Sequence, residues 1–190
     1  MNVKEQTKLN LKEAFWKVYK EKPLNKISIK EITDIAGYNR GTFYNYYKDV
    51  HDMFEEIKQS LMPPEEEIAV MLKTIKQKEW DKMIDVRDSS EDINQRDQIL
   101  LLFGPNGDPN FIHEYKRDIR RKILRQVNDI STKDSLKLEY VLEFMLSGLL
   151  SVAMLWSEND ENIPEEELDQ VFYEIMESGL KEILVNILSD

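Results

Sequence analysis

The stretch from Ile27 to Tyr47 constrains this chain more than any other. Ser28-Ile29-Lys30-Glu31 has the form of a capping box. In it the Ser28 hydroxyl accepts from the Glu31 amide, and the Glu31 carboxylate reaches back to the amide of Ser28. Ile27 before the cap and Ile32 after it are spaced as a hydrophobic staple. The helix so begun is short, because Gly37 follows Ile35-Ala36 where a left-handed terminal residue sits, and glycine takes positive φ without steric cost. Asn39 is placed to cap a second short helix, with Arg40, Gly41 and Thr42 in its first turn.

A longer helix is expected over 5–20, with Leu11, Ala14, Phe15, Val18 and Tyr19 on one face and Pro23 closing it. Two short helices around a glycine turn, between longer ones, make a helix-turn-helix spanning about 28–47. Its second helix is expected to carry DNA contacts. Phe43 and Tyr47 are i,i+4 and face the core, leaving Arg40, Thr42, Tyr44, Asn45 and Tyr46 toward solvent or the major groove. Four rings between 43 and 47 cannot all point inward on a helix. Arg40 suits a guanine edge or a phosphate, and Thr42 a thymine methyl or a phosphate. The Tyr44 and Tyr46 hydroxyls suit the backbone, and Gly41 lets the chain approach closely. Ser28, Lys30, Asn39 and Lys48 complete the expected DNA-contacting set.

These residues resemble the TetR family of bacterial transcriptional regulators. The resemblance rests on Ile27-Ser28-Ile29-Lys30-Glu31-Ile32, Ala36-Gly37, Arg40-Gly41-Thr42-Phe43-Tyr44 and Tyr47-Lys48-Asp49, and covers roughly 5–60. It implies a three-helix DNA-binding domain whose third helix enters the major groove, followed by a helical effector and dimerisation domain. In that family a lysine often starts the fourth helix and binds a phosphate. Val50 stands there in this chain, so that contact is in doubt, and Lys48, two residues earlier, is the candidate to replace it. Asp49 can still cap the helix, with Asp52 in its first turn.

Charge sharpens the division. The whole chain carries a net -11 with a pI near 4.8, which on its own argues against a nucleic-acid partner. Residues 1–48, however, hold ten Lys+Arg against five Asp+Glu, a net +5, leaving -16 for the rest. A basic head and an acidic body point to two functions in one chain.

Gly and Pro number only six each in 190 residues, and no alternating strand pattern appears, so the fold class is all-α. The expected domains are 1–60, the helix-turn-helix part, and 61–190, a helical effector-binding and dimerisation part. Breakers at Pro63-Pro64, 104–109 and 159–164 separate apolar stripes of helical period. Long helices are expected over 133–157, apolar nearly all round after Phe144, and over 164–188, where an apolar stripe runs from Leu168 to Leu188. They resemble in placement the pair that forms a four-helix bundle across the family's dimer interface. Phe144, Gly148, Ser151 and Leu155 on one and Phe172, Gly179 and Ile183 on the other would form a homodimer face, small residues letting backbones approach and large ones supplying apolar area. An ordinary intrachain core is the alternative. Any pocket for a small apolar effector falls within 65–130, with Met71, Ile75, Trp80, Met83, Phe103, Phe111 and Tyr115 as candidate lining, although such a stripe is more often core. Arg117, Arg120, Arg121, Lys122 and Arg125 form a basic patch that reads first as a solvated, ion-paired face, and His113 as a surface residue.

Little points to an enzyme. There is no cysteine, only His51 and His113 as histidines, and no phosphate-loop, dinucleotide, zinc-protease or nucleophile-elbow motif. No metal or cofactor is expected, the acidic 157–167 stretch lacking the glycine and oxygen spacing of a calcium loop. The longest charge-free run, Phe144 to Ser157, has 14 residues and falls short of a membrane span, and the N-terminus lacks the apolar core of a signal peptide. The expectation is a cytoplasmic, homodimeric repressor that binds a palindromic double-stranded operator and is released by an effector. Its rival is a helix-turn-helix protein controlled by a protein partner, or an activator, with no small-molecule pocket.

Overall fold

A computed structural model of the chain describes residues 2–77, 93–104, 107–127, 132–159, 162–175, 178–179 and 183–184, and these are helical with no strand among them. Helix α1 spans Val3–Tyr19, a 3-10 turn Leu24–Lys26, α2 Ile29–Ala36, α3 Arg40–Tyr44 and α4 Val50–Ser60. There follow α5 (Glu65–Lys76), α6 (Ile93–Phe103), α7 (Pro109–Gln126), α8 (Thr132–Glu158) and α9 (Glu165–Ile175). The chain divides into two compact units, one formed by 1–62 with 97–111 and the other by 63–96 with 112–190. The segment 97–111, which sequence alone counts with the C-terminal part, thus clusters with the N-terminal helices.

In the first unit, α1 buries the face its spacing predicts, with Leu11 and Phe15 fully enclosed and Tyr19 nearly so. Phe15 stacks on Tyr19 at 5.4 Å between ring centres, and both meet Phe54 of α4 at 5.8 and 5.6 Å. Offset ring pairs of this kind add about 0.5–1.5 kcal/mol each beyond the area they bury. Ile32 of α2, Phe43 of α3 and Met53 and Ile57 of α4 complete the core, joined by Leu102, Phe103 and Phe111 from the later segment. The rings of Phe103 and Phe111 lie 5.5 Å apart across a tight loop. There the Asp108 amide donates to the Leu102 carbonyl, and a Cβ on Gly107 would fall 2.0 Å from that oxygen, so only glycine fits. Asp108 also caps α7, accepting from the Asn110 amide at 3.0 Å, with Pro109 at the first helical position.

The second unit has its own core of Ile68 and Leu72 from α5, Ile119 and Ile123 from α7, Val127 just beyond it, Leu138 and Leu142 from α8, and Leu184. Around it most of the basic residues of α7 are paired among the described residues, the exposed Arg117 excepted. Lys116 and Arg120 both bond to Glu143, Arg121 and Lys122 to Asp118, and Arg125 to Glu65. The basic patch is therefore an ion-paired face, as the blander sequence reading has it. Helix α8 is long and apolar enough to cross a membrane by length and composition, an 18-residue stretch within Lys133–Glu158 averaging a hydropathy of 1.6 with 11% of it buried. A count of uninterrupted apolar residues understates it, because a stretch of 18 residues tolerates a charge or two such as Glu143, and the other charged residues of α8 lie in its first two turns and at its end. The Glu143 carboxyl is held below its usual range by its bond to Lys116, which outweighs the smaller upward push of burial.

Candidate nucleic-acid interface

The helix-turn-helix is set by local bonds at each of its ends. The Ser28 amide donates to Glu31 Oε2 at 3.0 Å and the Glu31 amide to Ser28 Oγ at 3.3 Å, closing the capping box of α2. Hydrogen bonds from Lys22 and from Ser28 hold the Glu31 carboxyl down at about 2. At the other end Gly37 takes φ +74°, its amide bonding to the Thr33 carbonyl. Asn39 then accepts from the Thr42 amide at 2.9 Å and starts α3. Caps of this type are worth about 1 kcal/mol each, and together they turn the chain sharply enough to leave a five-residue helix standing clear.

Anchors on the inner side complete the device. Phe43 is wholly buried and Tyr47 nearly so, their rings 5.5 Å apart. The Tyr47 hydroxyl donates to Glu56 Oε1 of α4 at 3.1 Å, and Glu56 also accepts from Lys8 at 2.6 Å and Lys12 at 3.0 Å on α1. Burial pushes the Glu56 carboxyl up, but the two lysines outweigh it and leave it below the usual range. Burial, with Glu56 beside it, drives the Tyr47 phenol up. A second tie lies near the far end of α4, where Lys58 is almost fully buried. Its ammonium reaches Glu55 at 2.8 Å and Asp108 at 3.1 Å. Burial pulls the Lys58 ammonium's pKa down, yet the two carboxylates raise it above its ordinary value, so the lysine stays charged. Tyr19, beside the same pair, is pushed up to about 12, chiefly by burial.

On the outer side Arg40, Gly41, Tyr44 and Asn45 are exposed, Tyr44 by 58%, while Thr42 and Tyr46 are half-buried. Helix α3 ends at Tyr44, so Asn45 and Tyr46 stand in the turn beyond it rather than on its face. Ser28, Lys30, Asn39 and Lys48 are exposed as well, and Lys30 pairs with Asp34 on its own helix. Val50 opens α4 and is buried, contributing to the core and presenting nothing to a phosphate, whereas Lys48 is exposed with its amide held by Asp52. Asp49 caps α4 as expected, accepting from the Asp52 amide at 2.8 Å.

The remaining site expectations fall in separate places. Phe103 and Phe111 belong to the core of the first unit, whereas Met71 and Tyr115 pack against the core of the second. Burial pushes the Tyr115 phenol up to about 12. Trp80, Met83 and the side chain of Ile75 lie outside the described residues, as do Met176, Leu180, Ile187 and Leu188 of the C-terminal stripe. His113 is exposed. Phe144, Gly148, Ser151 and Leu155 share one exposed face of α8, and Gly179 and Ile183 are exposed further on, with Phe172 half-buried. Sequence reasoning missed Leu136 and Tyr140, which continue that α8 face by two further i+4 steps and are 53% and 78% exposed, whereas Val171 and Ile175, exposed on α9, lie in the C-terminal stripe it reads. The signal was there, an apolar residue recurring every fourth position in otherwise polar turns.

Residues 93–178 match a TetR-family model described as a transcriptional regulator C-terminal region. That match shares no residue with the Ile27–Lys48 stretch, on which the helix-turn-helix resemblance stands independently. The C-terminal part of the chain is thus similar to that of TetR-family transcriptional regulators, the family that the Ile27–Lys48 stretch also resembles. No curated protein and no solved structure matches it.

Proposed function

We propose that the protein is a cytoplasmic, homodimeric DNA-binding repressor that occupies a palindromic operator and is released when an effector binds its C-terminal part. What carries this reading is α3. It is capped by Asn39, anchored through Phe43 and Tyr47, and left with Arg40, Gly41 and Tyr44 directed outward, within a stretch, residues 1–48, of net charge +5. Arg40 is the candidate for base reading, Thr42, Tyr44, Asn45, Tyr46 and Lys48 for the backbone, and Ser28 and Lys30 for phosphates at the start of α2. The exposed apolar faces of α8 and α9 support a two-fold interface, which would set two copies of α3 about 34–36 Å apart, one helical turn of duplex. Effector and operator would then be reciprocally coupled, each weakening the other by the same factor. Control by a protein partner, or activation, keeps the same head and differs only in what the body recognises.

Selecting fragments of the source genome that the purified protein retains, then footprinting them, tests the reading. It requires a protected inverted repeat, and Arg40→Ala should weaken binding to it by about 1–3 kcal/mol while leaving non-specific binding nearly unchanged. Retention of no fragment over background would overturn the DNA-binding function.

A further inference from the structure

A surface cleft of about 490 Å³ lies between the first turn of α1 and the end of the recognition segment, lined by Asn2, Lys4, Glu5, Lys8, Asn45 and Tyr46. Three of these side chains are already committed. Asn2 and Glu5 bond to each other in the capping box of α1, the Glu5 carboxylate accepting from the Asn2 amide at 2.9 Å and its side-chain nitrogen at 3.1 Å. The Lys8 ammonium is held by Glu56 at 2.6 Å and lies 5.3 Å from the centre of the Tyr47 ring. What remains is the Lys4 ammonium, the side-chain amide of Asn45 and the Tyr46 hydroxyl, and no hydrogen bond or ion pair joins any of these three groups to another described residue. All three can donate, and Lys4 brings a positive charge.

We propose that this cleft is a second point of attachment to DNA, in which Lys4, with Asn45 and Tyr46, binds a backbone phosphate diester beside the strand read by α3. The inference rests on the DNA-binding reading and extends it to a helix outside the helix-turn-helix. A phosphate diester has one negative charge and only acceptors, the complement of a cation flanked by two neutral donors. Asn45 and Tyr46 follow α3 directly, so a strand passing the end of that helix passes the cleft. An isolated phosphate gains little from an exposed lysine in water, whereas a duplex adds counterion release at every phosphate neutralised. The occupant is therefore the polyanion rather than a free ion.

Because a phosphate contact ignores sequence, the probe is a random-sequence duplex, with the footprinted operator as a second. Lys4→Ala should lower the slope of log affinity against log salt by about 0.9 per bound protomer, and by the same amount on both duplexes. Lys4→Arg should restore the slope, and neither variant should change thermal stability, since Lys4 is exposed. A slope equal to wild type in Lys4→Ala, with Arg40→Ala still impaired on the operator, would overturn the cleft and leave the proposed function standing. Failure of the wild type to bind either duplex would overturn both. Lys4-dependent binding of inorganic phosphate without a change in slope would assign the cleft to a free anion and also overturn the inference.

Discussion

At Gly37 the backbone takes φ +74° and ψ 28°, and a Cβ added there would meet no atom within 4 Å. Any penalty for substitution is thus one of backbone conformation alone. Gly37→Ala should cost about 1–2 kcal/mol in urea unfolding, and Gly37→Asn less, because a short polar side chain tolerates the left-handed region. An alanine variant as stable as wild type would mean that the turn is not held in this conformation. Gly37, Asn39 and the Ser28–Glu31 box are all legible in the sequence, because capping acts over three or four residues and its donors and acceptors are fixed by type. The ties that hold the recognition segment from within are not legible. Lys8 and Glu56 lie 48 residues apart and Lys58 and Asp108 lie 50 apart, and among the many charges of this chain nothing in the sequence marks those four as partners.

Helix α4 shows how such ties act on a whole element. Glu56 fastens it to α1 and to Tyr47, and Lys58 to Asp108. Lys58→Ala should destabilise the protein by about 3–5 kcal/mol, because it strands Asp108 in a largely buried site. The double variant Lys58→Met with Asp108→Asn removes both charges and keeps the cap on α7, so it should recover most of that loss in chemical denaturation. Equal instability in both variants would place the cost in the loss of the ion pair itself rather than in a stranded Asp108. Extent of the elements was read unevenly from sequence. The apolar spacing of α1 and Pro23 bound that helix to within two residues at its start, and the apolar run after Phe144 marks α8. The last stripe is read as one helix over 164–188, and of it the structure describes Glu165–Ile175 as helix, 178–179 as a π turn and 183–184 as helix. A widened turn of that kind leaves no trace in hydrophobic period.

For the molecule, the faces that matter are the apolar ones left uncovered in a single chain. Leu136, Tyr140, Phe144 and Leu155 stand more than half exposed along α8, interrupted only by Gly148 and Ser151. A contiguous patch of that kind marks an interaction surface. If a second copy covers it, Leu155→Glu with Phe144→Asp should convert a dimer to a monomer in sedimentation and weaken operator binding by roughly tenfold or more, as bivalent attachment is lost. A wild-type mass of one chain would remove the dimer and with it the expected palindrome.

The membership of 97–111 in the first unit bears on how such a protein can be taken apart. Cutting after residue 62 would deprive Lys58 of Asp108 and remove Leu102, Phe103 and Phe111 from the core around it. The N-terminal head is consequently not a detachable prefix of the gene. A chimera that transplants it onto another regulator's body must splice in two places, so exchange of heads by a single crossover should yield proteins that fold poorly even where each parent folds well.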